Sequence, residues 1–549
     1  MDNYFVSSCK RVKDWICRQF GQKEKKTVHH KKFADGGEVI VWETGRAGEE
    51  AASYENLFLR KEIAGFRTNI RREQSCSIKS LTRDYLYKQL LSSGEYTFDH
   101  MLVIKDPYGE APLTALALFI LEEPACVRVT TKGNLKETDF VTELPKKKEH
   151  RVPILGMYAE KANDIVIEIL DDEGNCVKSH TFTIRTKRLP KSLRNVITVK
   201  KWTDKPAYSN IMINGGVKIH TCVFDIEGKI RYYLSRKPRG YGIFPLSDGH
   251  FFYMEKYISV PSYSNPQTVE SYDMDYFGRV FRTYLTEKGV HHTAEEKAGG
   301  NILTGSNSML EHTEDCVIEI DRQTGEIVWQ LNMAEIFDET YQNMMDWCHV
   351  NSAAYYEKDR TILISLRNVH AVICVDYDTK KLRWILSDPK FWEGTKMTPY
   401  LLQPEGDVKW CYQQHAAFEI ALPDESNPQK KRIIVYDNHW AKRRKAKSFD
   451  KDPLSYVSFY DIDEEKKSVS LHKRFAGPKT RIRANGIYVP DKKRVYNMAG
   501  SYAEPVDGDG GGIFEYDYET GEVLSEFGVK PGFFRAYPFE PNVQELAEP

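Results

Sequence analysis

Two segments of this sequence carry side chains that could hold a small anion and transfer a group. The first is Asp346–Ser352, which contains His349 and Asn351 and is followed by Arg367 in an Ile-Ser-Leu-Arg-Asn run. The second segment ends in His415, one structural repeat later. An imidazole, a carboxamide and a guanidinium on neighbouring strand ends are suited to binding an anion.

Further candidates recur at similar spacing on both sides of these segments. The pair His291-His292 precedes them, and Asn485 follows them in an Arg-Ile-Arg-Ala-Asn run. Tyr241 occupies the position in the preceding repeat that corresponds to His292. The sequence leaves open which histidine of the pair belongs to the site, and whether Tyr241 lines the site or packs in the core.

The elements that must position these residues form a repeat after about residue 200. Its unit is an apolar strand, a turn that starts with Asp, and a second strand with an aromatic residue. Six copies begin at Asp225, Asp275, Asp321, Asp376, Asp461 and Asp517. Asp can hydrogen-bond its own turn, and Gly, present in most copies, accepts the positive φ. The spacing is typical of four-stranded blades, so we expect a six-bladed β-propeller in residues 196–549.

A propeller of this kind would bring the candidate residues to one mouth of its central channel, because each lies ahead of the second strand of its blade. Ahead of the propeller, short alternating strands with Gly, Pro, Asn and Asp turns predict a small β-sandwich in residues 91–195. Residues 1–90 read as a basic, partly helical N-terminal extension, with a helical pattern from Tyr54 to Leu91. The predicted fold class is therefore all-β.

Composition excludes several classes of function. The chain has 78 basic and 79 acidic residues, so no global field favours nucleic acid. Its ten cysteines form no C-x-x-C pair, which argues against a zinc knuckle or a disulfide framework and favours a reducing compartment. The sequence contains no apolar run of about 18 residues, so we expect no membrane-spanning helix. The first residues do not resemble a secretory signal peptide, so we expect a cytoplasmic protein.

The segments around His349, Arg367 and His415, together with Asp106–Ala115 and Val152–Tyr158, resemble the bacterial arylsulfate sulfotransferases. These enzymes move a sulfuryl group between phenols without a nucleotide sulfate donor. The resemblance covers most of the chain. It implies aryl sulfates and phenols as substrates, no cofactor, and a homodimer.

The same resemblance implies roles for individual residues. His415 would become sulfated in a ping-pong cycle, and His349 and Arg367 would hold the sulfuryl oxygens, with Asn351 beside them. His292 is the best match for the remaining histidine of the family. Many family members are periplasmic and have a disulfide near the active site. Only Cys411 lies near His415 in the sequence, so we expect no such disulfide here.

Other interpretations of the same residues remain open. Three converging histidines could bind Zn²⁺ or Fe²⁺, but an arginine near them disfavours a cation, so we expect no metal. Arg367 could pair with Asp346 instead of holding an anion. The alternatives for function are an aryl sulfate hydrolase on the same scaffold and a ligand-binding propeller without turnover.

Overall fold

The computed structural model describes residues 28–33, 37–43, 76–203, 205–216, 218–236, 241–258, 267–308, 312–342, 344–422, 427, 429–440 and 452–540. The chain divides into two compact units. The first comprises Met1–Arg188, Tyr276–Phe281 and Asn542–Pro549, and the second comprises Leu189–Asp275 and Arg282–Pro541. Most of the predicted N-terminal extension lies outside the described residues.

The first unit contains one described helix, α1 (Cys76–Ser92), and one seven-stranded sheet. The helix is the final part of the predicted helical pattern; the part from Tyr54 to residue 75 lies outside the described residues. The strands are β1 (Val28–Lys32), β2 (Glu38–Trp42), β3 (His100–Lys105), β4 (Ala115–Thr131), β5 (Phe140–Ile154), β6 (Ala162–Leu170) and β7 (Cys176–Arg185).

The order in this sheet is β1-β2-β3-β4-β6-β7, and β5 pairs with β4. The long strand β4 spans two segments that the sequence predicts as separate short strands. Its first part, Ala115–Leu118, pairs with β3, and its last part, Cys126–Thr131, pairs with β6. Strand β5 was not predicted. Its centre reads Pro-Lys-Lys-Lys-Glu, a run of exposed or half-exposed residues that hides the alternation.

The second unit is built from strands that pair antiparallel, except for the short strand Gln403–Pro404, which pairs parallel with Ser468–Pro478. They are β8 (Ile197–Lys201), β9 (Asn210–Asn214), β10 (Cys222–Asp225), β11 (Ile230–Tyr233), β12 (Gly242–Pro245), β13 (Phe251–Ile258), β14 (Gln267–Met274), β15 (Val280–Glu296), β16 (Ile302–Ser306), β17 (Cys316–Ile320), β18 (Ile327–Asn332), β19 (Val350–Tyr356), β20 (Thr361–Leu366), β21 (Ala371–Asp376), β22 (Leu382–Leu386), β23 (Gln403–Pro404), β24 (Ala417–Ile420), β25 (Lys430–Asp437), β26 (Leu454–Asp463), β27 (Ser468–Pro478), β28 (Asn485–Val489), β29 (Arg494–Ala499), β30 (Gly511–Asp517), β31 (Val523–Val529) and β32 (Arg535–Pro538).

These strands form successive meander sheets in a propeller-like arrangement. The sheet orders are β11-β10-β9-β32, β12 through β18, β19-β20-β21-β22, β23-β27-β26-β25-β24 and β28-β29-β30-β31-β8. The two ends of the unit exchange strands: β32 joins the first sheet beside β9, and β8 joins the last sheet beside β31. Such an exchange closes a ring of sheets without leaving a long exposed edge.

The seven-stranded sheet owes its size to the length of β15. This strand follows β14 in the sheet, while its last part, from Val290 to Glu296, pairs with β16. As hydrogen bonding defines them, the second unit therefore contains fewer sheets than the six repeats of the sequence.

The predicted Asp turns connect outer strands of these sheets. Asp225, Asp321, Asp376 and Asp517 each accept a main-chain hydrogen bond from the residue that closes the turn. The closing residue has a positive φ in every case: Gly228, Gly325, Lys380 and Gly521. The prediction at Asp461 is wrong by two residues. Strand β26 continues to Asp463, whose side chain accepts from the Lys466 amide at 3.0 Å.

Apolar clusters between neighbouring sheets hold the second unit together. One cluster joins Leu303 and Val317 to Ile362 and Ile364 of the next sheet, and Trp347 packs within it. Side chains this well buried each contribute on the order of 1.5–3 kcal/mol. This packing fixes the segments that precede β19 and β24. Among the described residues, no helix has the length and apolar character needed to cross a membrane.

Candidate active site

Four residues have a left-handed backbone conformation, one at the irregularity near the end of β15 and the others just before strands β19, β24 and β28. They are His292 (φ 58°), His349 (φ 57°), Gln413 (φ 47°) and Arg483 (φ 65°). A positive φ is unfavourable for residues other than glycine, and it persists only where the surroundings enforce it. The equivalent strain in four successive repeats therefore marks one structural position, filled by a different polar residue each time.

Two residues further along, the side chains join adjacent sheets. The amide of Asn351 donates to the carbonyl of Gln414 at 2.8 Å, and that of Asn485 donates to the carbonyl of Ala536 at 2.8 Å. His415 occupies the same position, and its Nδ1 lies 2.7 Å from the carbonyl oxygen of Ala484. The main-chain N–H of Ala484 also approaches this nitrogen, at 3.3 Å. A carbonyl oxygen only accepts, so the shorter contact assigns the proton to Nδ1 and leaves the free lone pair on Nε2.

The structure brings the predicted histidines together. The ring centroids of His292 and His349 are 4.7 Å apart, and those of His292 and His415 are 6.2 Å apart. Tyr241 packs against His292 at 4.3 Å, and Phe534 meets the edge of His415 at 5.6 Å. All three imidazoles therefore belong to one cluster that is flanked by aromatic rings.

His291 has a different position from His292. Its Nε2 lies 2.8 Å from the carbonyl oxygen of Ser306, and its Nδ1 lies 3.2 Å from Nδ1 of His292. His291 is fully buried, whereas His292 contacts the rings of Tyr241, His349 and His415. The geometry therefore places His292 in the cluster and His291 behind it.

Two carboxylates lie on one side of the cluster. Nδ1 of His349 is 2.6 Å from Glu314 and 3.0 Å from Asp346. Glu314 also accepts from the hydroxyl of Tyr241 at 3.0 Å and lies 3.7 Å from His292. Burial opposes the charge on His349, but Asp346 and Glu314 outweigh it and raise the pKa of His349 to about 9. His349 is therefore a cation at neutral pH.

The other two imidazoles are neutral. Burial lowers the pKa of His415 well below its usual range, and the charges of Arg535 and Arg367 lower it further. Burial also lowers the pKa of His292, together with the charge on His349. The cluster thus separates one cationic imidazole from two neutral ones within a few ångströms, as expected where neighbours differ in charge.

Arg367 lies at the start of a short 3₁₀ turn, Arg367–Val369, that follows β20. Its guanidinium donates to Oε1 of Gln413 at 3.0 Å, to Oδ1 of Asn368 at 3.3 Å and to the carbonyl of Arg481 at 3.4 Å. These acceptors are neutral, and Asp346, the alternative partner, is engaged with His349. Arg367 thus contributes positive charge beside His415.

The predicted amides Asn351 and Asn485 hold main-chain atoms of the next sheet. Asn351 supports the segment that ends in His415, and Asn485 supports the strand that begins at Arg535. Both residues are buried. Their predicted role in contacting substrate stays a prediction; the structure shows that their amide N–H groups fix the backbone that carries site residues.

Sequence reasoning missed Glu314, Phe534 and Arg535. Glu314 lies between the buried residues Thr313 and Asp315 directly before β17, and a polar run of this kind is not distinguishable from an exposed loop. The guanidinium of Arg535 is buried and donates to the carbonyl of Asn351 at 2.7 Å. The last strand completes the first sheet, and recognising this pairing in the sequence would have predicted that Phe534 and Arg535 lie near the site.

Two sets of donor atoms in the described part of the chain are close enough for one metal ion. They are His291, His292 and Glu314, and Glu314, Asp346 and His349. Glu314 belongs to both sets and already forms an ion pair with His349. Arg535 adds positive charge that lowers the pKa of His292. The expectation of no metal stays a prediction.

The propeller-like all-β unit thus carries a cluster of imidazoles with carboxylates and guanidinium groups beside it, an arrangement whose charges suit a small anion. Sequence comparison gives the family. The profile described as Arylsulfotransferase (ASST) matches residues 195–535, and the profile described as Arylsulfotransferase Ig-like domain matches residues 102–187. The chain belongs to the arylsulfotransferase family.

Two curated relatives match at low identity. An arylsulfate sulfotransferase of Lelliottia amnigena is 21% identical, with 78% of this chain and 90% of the relative covered. An arylsulfate sulfotransferase of Escherichia coli O6:H1 is 22% identical over the same shares. Among solved structures, a Bacteroides caccae protein of unknown function gives a TM-score of 0.39 at 11% identity, over 60% of this chain and 98% of that one. A TM-score this low says nothing about function.

Proposed function

We propose that this protein is a nucleotide-independent aryl sulfotransferase that works by a ping-pong mechanism through a sulfohistidine at His415. The observation that carries the proposal is the hydrogen bond from Nδ1–H of His415 to the carbonyl of Ala484. This bond leaves Nε2 with a free lone pair. Burial and neighbouring cations keep the imidazole neutral. Neutral imidazole is both a nucleophile and a good leaving group near pH 7.

In the first half-reaction, Nε2 of His415 attacks the sulfur of an aryl sulfate. The N–S bond forms while the bond between sulfur and the phenolic oxygen breaks, and the electron pair of that bond leaves with the phenolate. By analogy with phosphoryl transfer, the sulfuryl oxygens share negative charge in a loose transition state. The Nε2–H of cationic His349 and the fork of Arg367 donate to these oxygens.

In the second half-reaction, an acceptor phenol attacks the sulfur of sulfohistidine. The new O–S bond forms, the N–S bond breaks, and its electron pair returns to Nε2 of His415. The phenolic proton needs an acceptor, and neutral His292 is the group in the cluster suited to accept it. Glu314 holds His349 and Tyr241 in place during both steps.

The substrates follow from the family and from the names of the relatives, which are arylsulfate sulfotransferases. We infer aryl sulfates as donors and phenols as acceptors. We count the seven-stranded sheet as two blades divided along β15, which gives a six-bladed propeller with the site at the ends of its inner strands. The homodimer and the cytoplasmic location stay predictions.

Release of phenol from a chromogenic aryl sulfate tests the proposal, with and without a second phenol in excess. A transferase releases the first phenol faster when the second is present, and it makes one new ester for each phenol released. A hydrolase releases phenol at the same rate and makes inorganic sulfate. A binding propeller releases none, which would contradict the proposal.

A further inference from the structure

A second group of positive charges lines a cleft that includes Arg367. A cleft of about 470 Å³ has Arg367 on its wall, together with Lys218, Arg481 and Arg483. Trp440, Ile482 and Tyr502 add apolar surface to the same cleft. Its volume lies within the range of about 300–1,000 Å³ typical of small-molecule sites. None of the residues that line it is acidic.

The cleft contains more positive charges than are needed to bind one sulfuryl group. Arg367 is next to the histidine cluster and is assigned to the sulfuryl group. Arg481 is paired with exposed Glu504 at 2.7 Å. Lys218 and Arg483 remain, and Lys218 donates to the carbonyl of Pro531 at 3.0 Å, which carries no charge. Within the described part of the chain, these two cations face the cleft without a carboxylate in an ion pair with them.

Both the backbone conformation and the side-chain environment of Arg483 are energetically unfavourable. It has a left-handed backbone (φ 65°), and its Nη1 is buried without a hydrogen-bond partner among the described residues. Burial lowers the pKa of Arg483, and burial together with the charge of Arg483 lowers the pKa of Lys218. A buried donor without an acceptor costs free energy, and a bound anion would supply the acceptor.

We propose that Arg483 and Lys218 bind a second anionic group on the aromatic substrate, so that the preferred substrates are aryl sulfates and phenols that also carry a carboxylate or another acidic substituent. The aromatic ring lies between this anion and the sulfuryl group, beside Trp440 and Tyr502. Planar aromatic surfaces favour such packing, and the guanidinium of Arg481 already lies 5.4 Å over the ring of Trp440. This inference rests on the proposed function for the identity of the reacting group.

The kinetic test compares 4-sulfooxybenzoate with its methyl ester as donors. The two differ in charge and little in size. We expect wild-type protein to have a higher kcat/KM for the carboxylate. Arg483→Gln and Lys218→Gln should each lower kcat/KM for the carboxylate by about tenfold, the cost of a charged hydrogen bond, and should change the value for the ester less than twofold. Comparing each variant with wild type cancels the different reactivity of the two leaving groups.

Two control variants accompany this test. Lys493→Gln removes a cation that is 64% exposed and paired with Glu519 away from the cleft, so it should leave the preference intact. Arg483→Lys keeps the charge and should retain most of the preference. Circular dichroism checks that each variant is folded. Equal losses on both donors in both Gln variants would overturn the proposal.

A binding test does not depend on turnover. Calorimetry compares 4-hydroxybenzoate with methyl 4-hydroxybenzoate on wild-type protein and on Arg483→Gln. Tighter binding of the carboxylate that is lost in the variant supports the anion site even if sulfuryl transfer is absent, so the two proposals can fail separately. Equal affinity for the acid and the ester on wild-type protein would overturn the anion site.

Discussion

The two sides of the histidine cluster use charge in opposite ways. On the side of Glu314 and Asp346, carboxylates compensate the charge of His349 and hold it as a cation. On the other side, the guanidinium of Arg367 donates to the neutral oxygen of Gln413, and Nη1 of Arg483 is buried without a hydrogen-bond partner among the described residues. On the first side, the opposite charges of the protein's own groups balance each other. On the second side, a bound anion would supply the negative charge that balances the guanidinium groups.

This difference shows how equivalent positions of a repeat can diverge. His349 and Arg483 share the same left-handed position in different sheets. Carboxylates beside His349 produce a proton donor of fixed geometry. No ion pair with a carboxylate is formed by Arg483 among the described residues, and this is the position at which we propose that an anion binds. His415 lies between the two sides, and it stays neutral first because it is buried, with the positive charges of Arg535 and Arg367 adding to the effect.

The largest effect is expected from removing the imidazole that stands between the two sides. His415→Ala should reduce transfer from a chromogenic aryl sulfate by roughly 10³-fold or more, since no other group offers a lone pair in the same place. Initial-rate assays measure it. His29→Ala, which alters an exposed histidine of the other unit, is the matched control and should keep full activity. Full activity of the His415 variant would refute the nucleophile.

The next largest effect concerns the basic side. Arg367→Ala should lower kcat by about 10²-fold, the usual cost of removing a donor to a transition-state charge. Arg367→Lys should recover only part of this loss, because an ammonium group lacks the planar fork. Steady-state kinetics on one donor measures both. A loss of less than a few-fold in the Ala variant would mean that Arg367 only packs against Gln413.

The acidic side is tested by Glu314→Gln, which removes one of the carboxylates that hold the proton on His349. In wild-type protein, activity should fall as the pH rises through about 9, where His349 loses its proton. The variant should show the same fall at a pH lower by roughly 1–3 units, with most activity retained at acidic pH. A profile of kcat against pH measures the shift. Glu357→Gln, at an exposed carboxylate, should leave the profile unchanged.

The same raised pKa has a consequence for stability. His349 binds its proton more tightly in the folded than in the unfolded protein, where its pKa is about 6.5. Its contribution to folding is therefore fully present below pH 6.5 and is lost as the pH rises through about 9. Denaturant titrations of wild-type protein and Glu314→Gln across this window measure it. Equal pH dependence in the two proteins would contradict the ion pair.

The smallest effect is expected where the site is only supported. Asn351→Ala removes the amide that holds the carbonyl of Gln414, and a buried acceptor left unsatisfied costs about 1–3 kcal/mol. The free energy of unfolding should fall by that amount, and kcat should change only a few-fold. A loss of activity as large as that of Arg367→Ala, without loss of stability, would instead assign Asn351 a direct contact with substrate.

The sequence predicted the all-β class and most turns, because strand alternation and Asp turns are local signals. The spacing of the repeats predicted that His349 and His415 would meet a third histidine, but it left open whether this is His291 or His292. It missed β5 because lysines interrupt the alternation, and it placed one turn two residues early because Asp461 and Asp463 both precede it. Glu314 and Arg535 were not predicted, because one reaches the cluster from a loop and the other from the closing strand. Contacts between residues so far apart in the sequence produce no periodic pattern.

The central claim is that one imidazole, kept neutral between an acidic and a basic side, accepts the sulfuryl group. The most direct measurement is mass spectrometry of peptides after brief exposure of the protein to an aryl sulfate without acceptor. We expect the mass of one SO₃ group on the peptide that contains His415, and its loss when a phenol is added. An adduct on another residue, or release of phenol with no adduct at any time, would contradict the account.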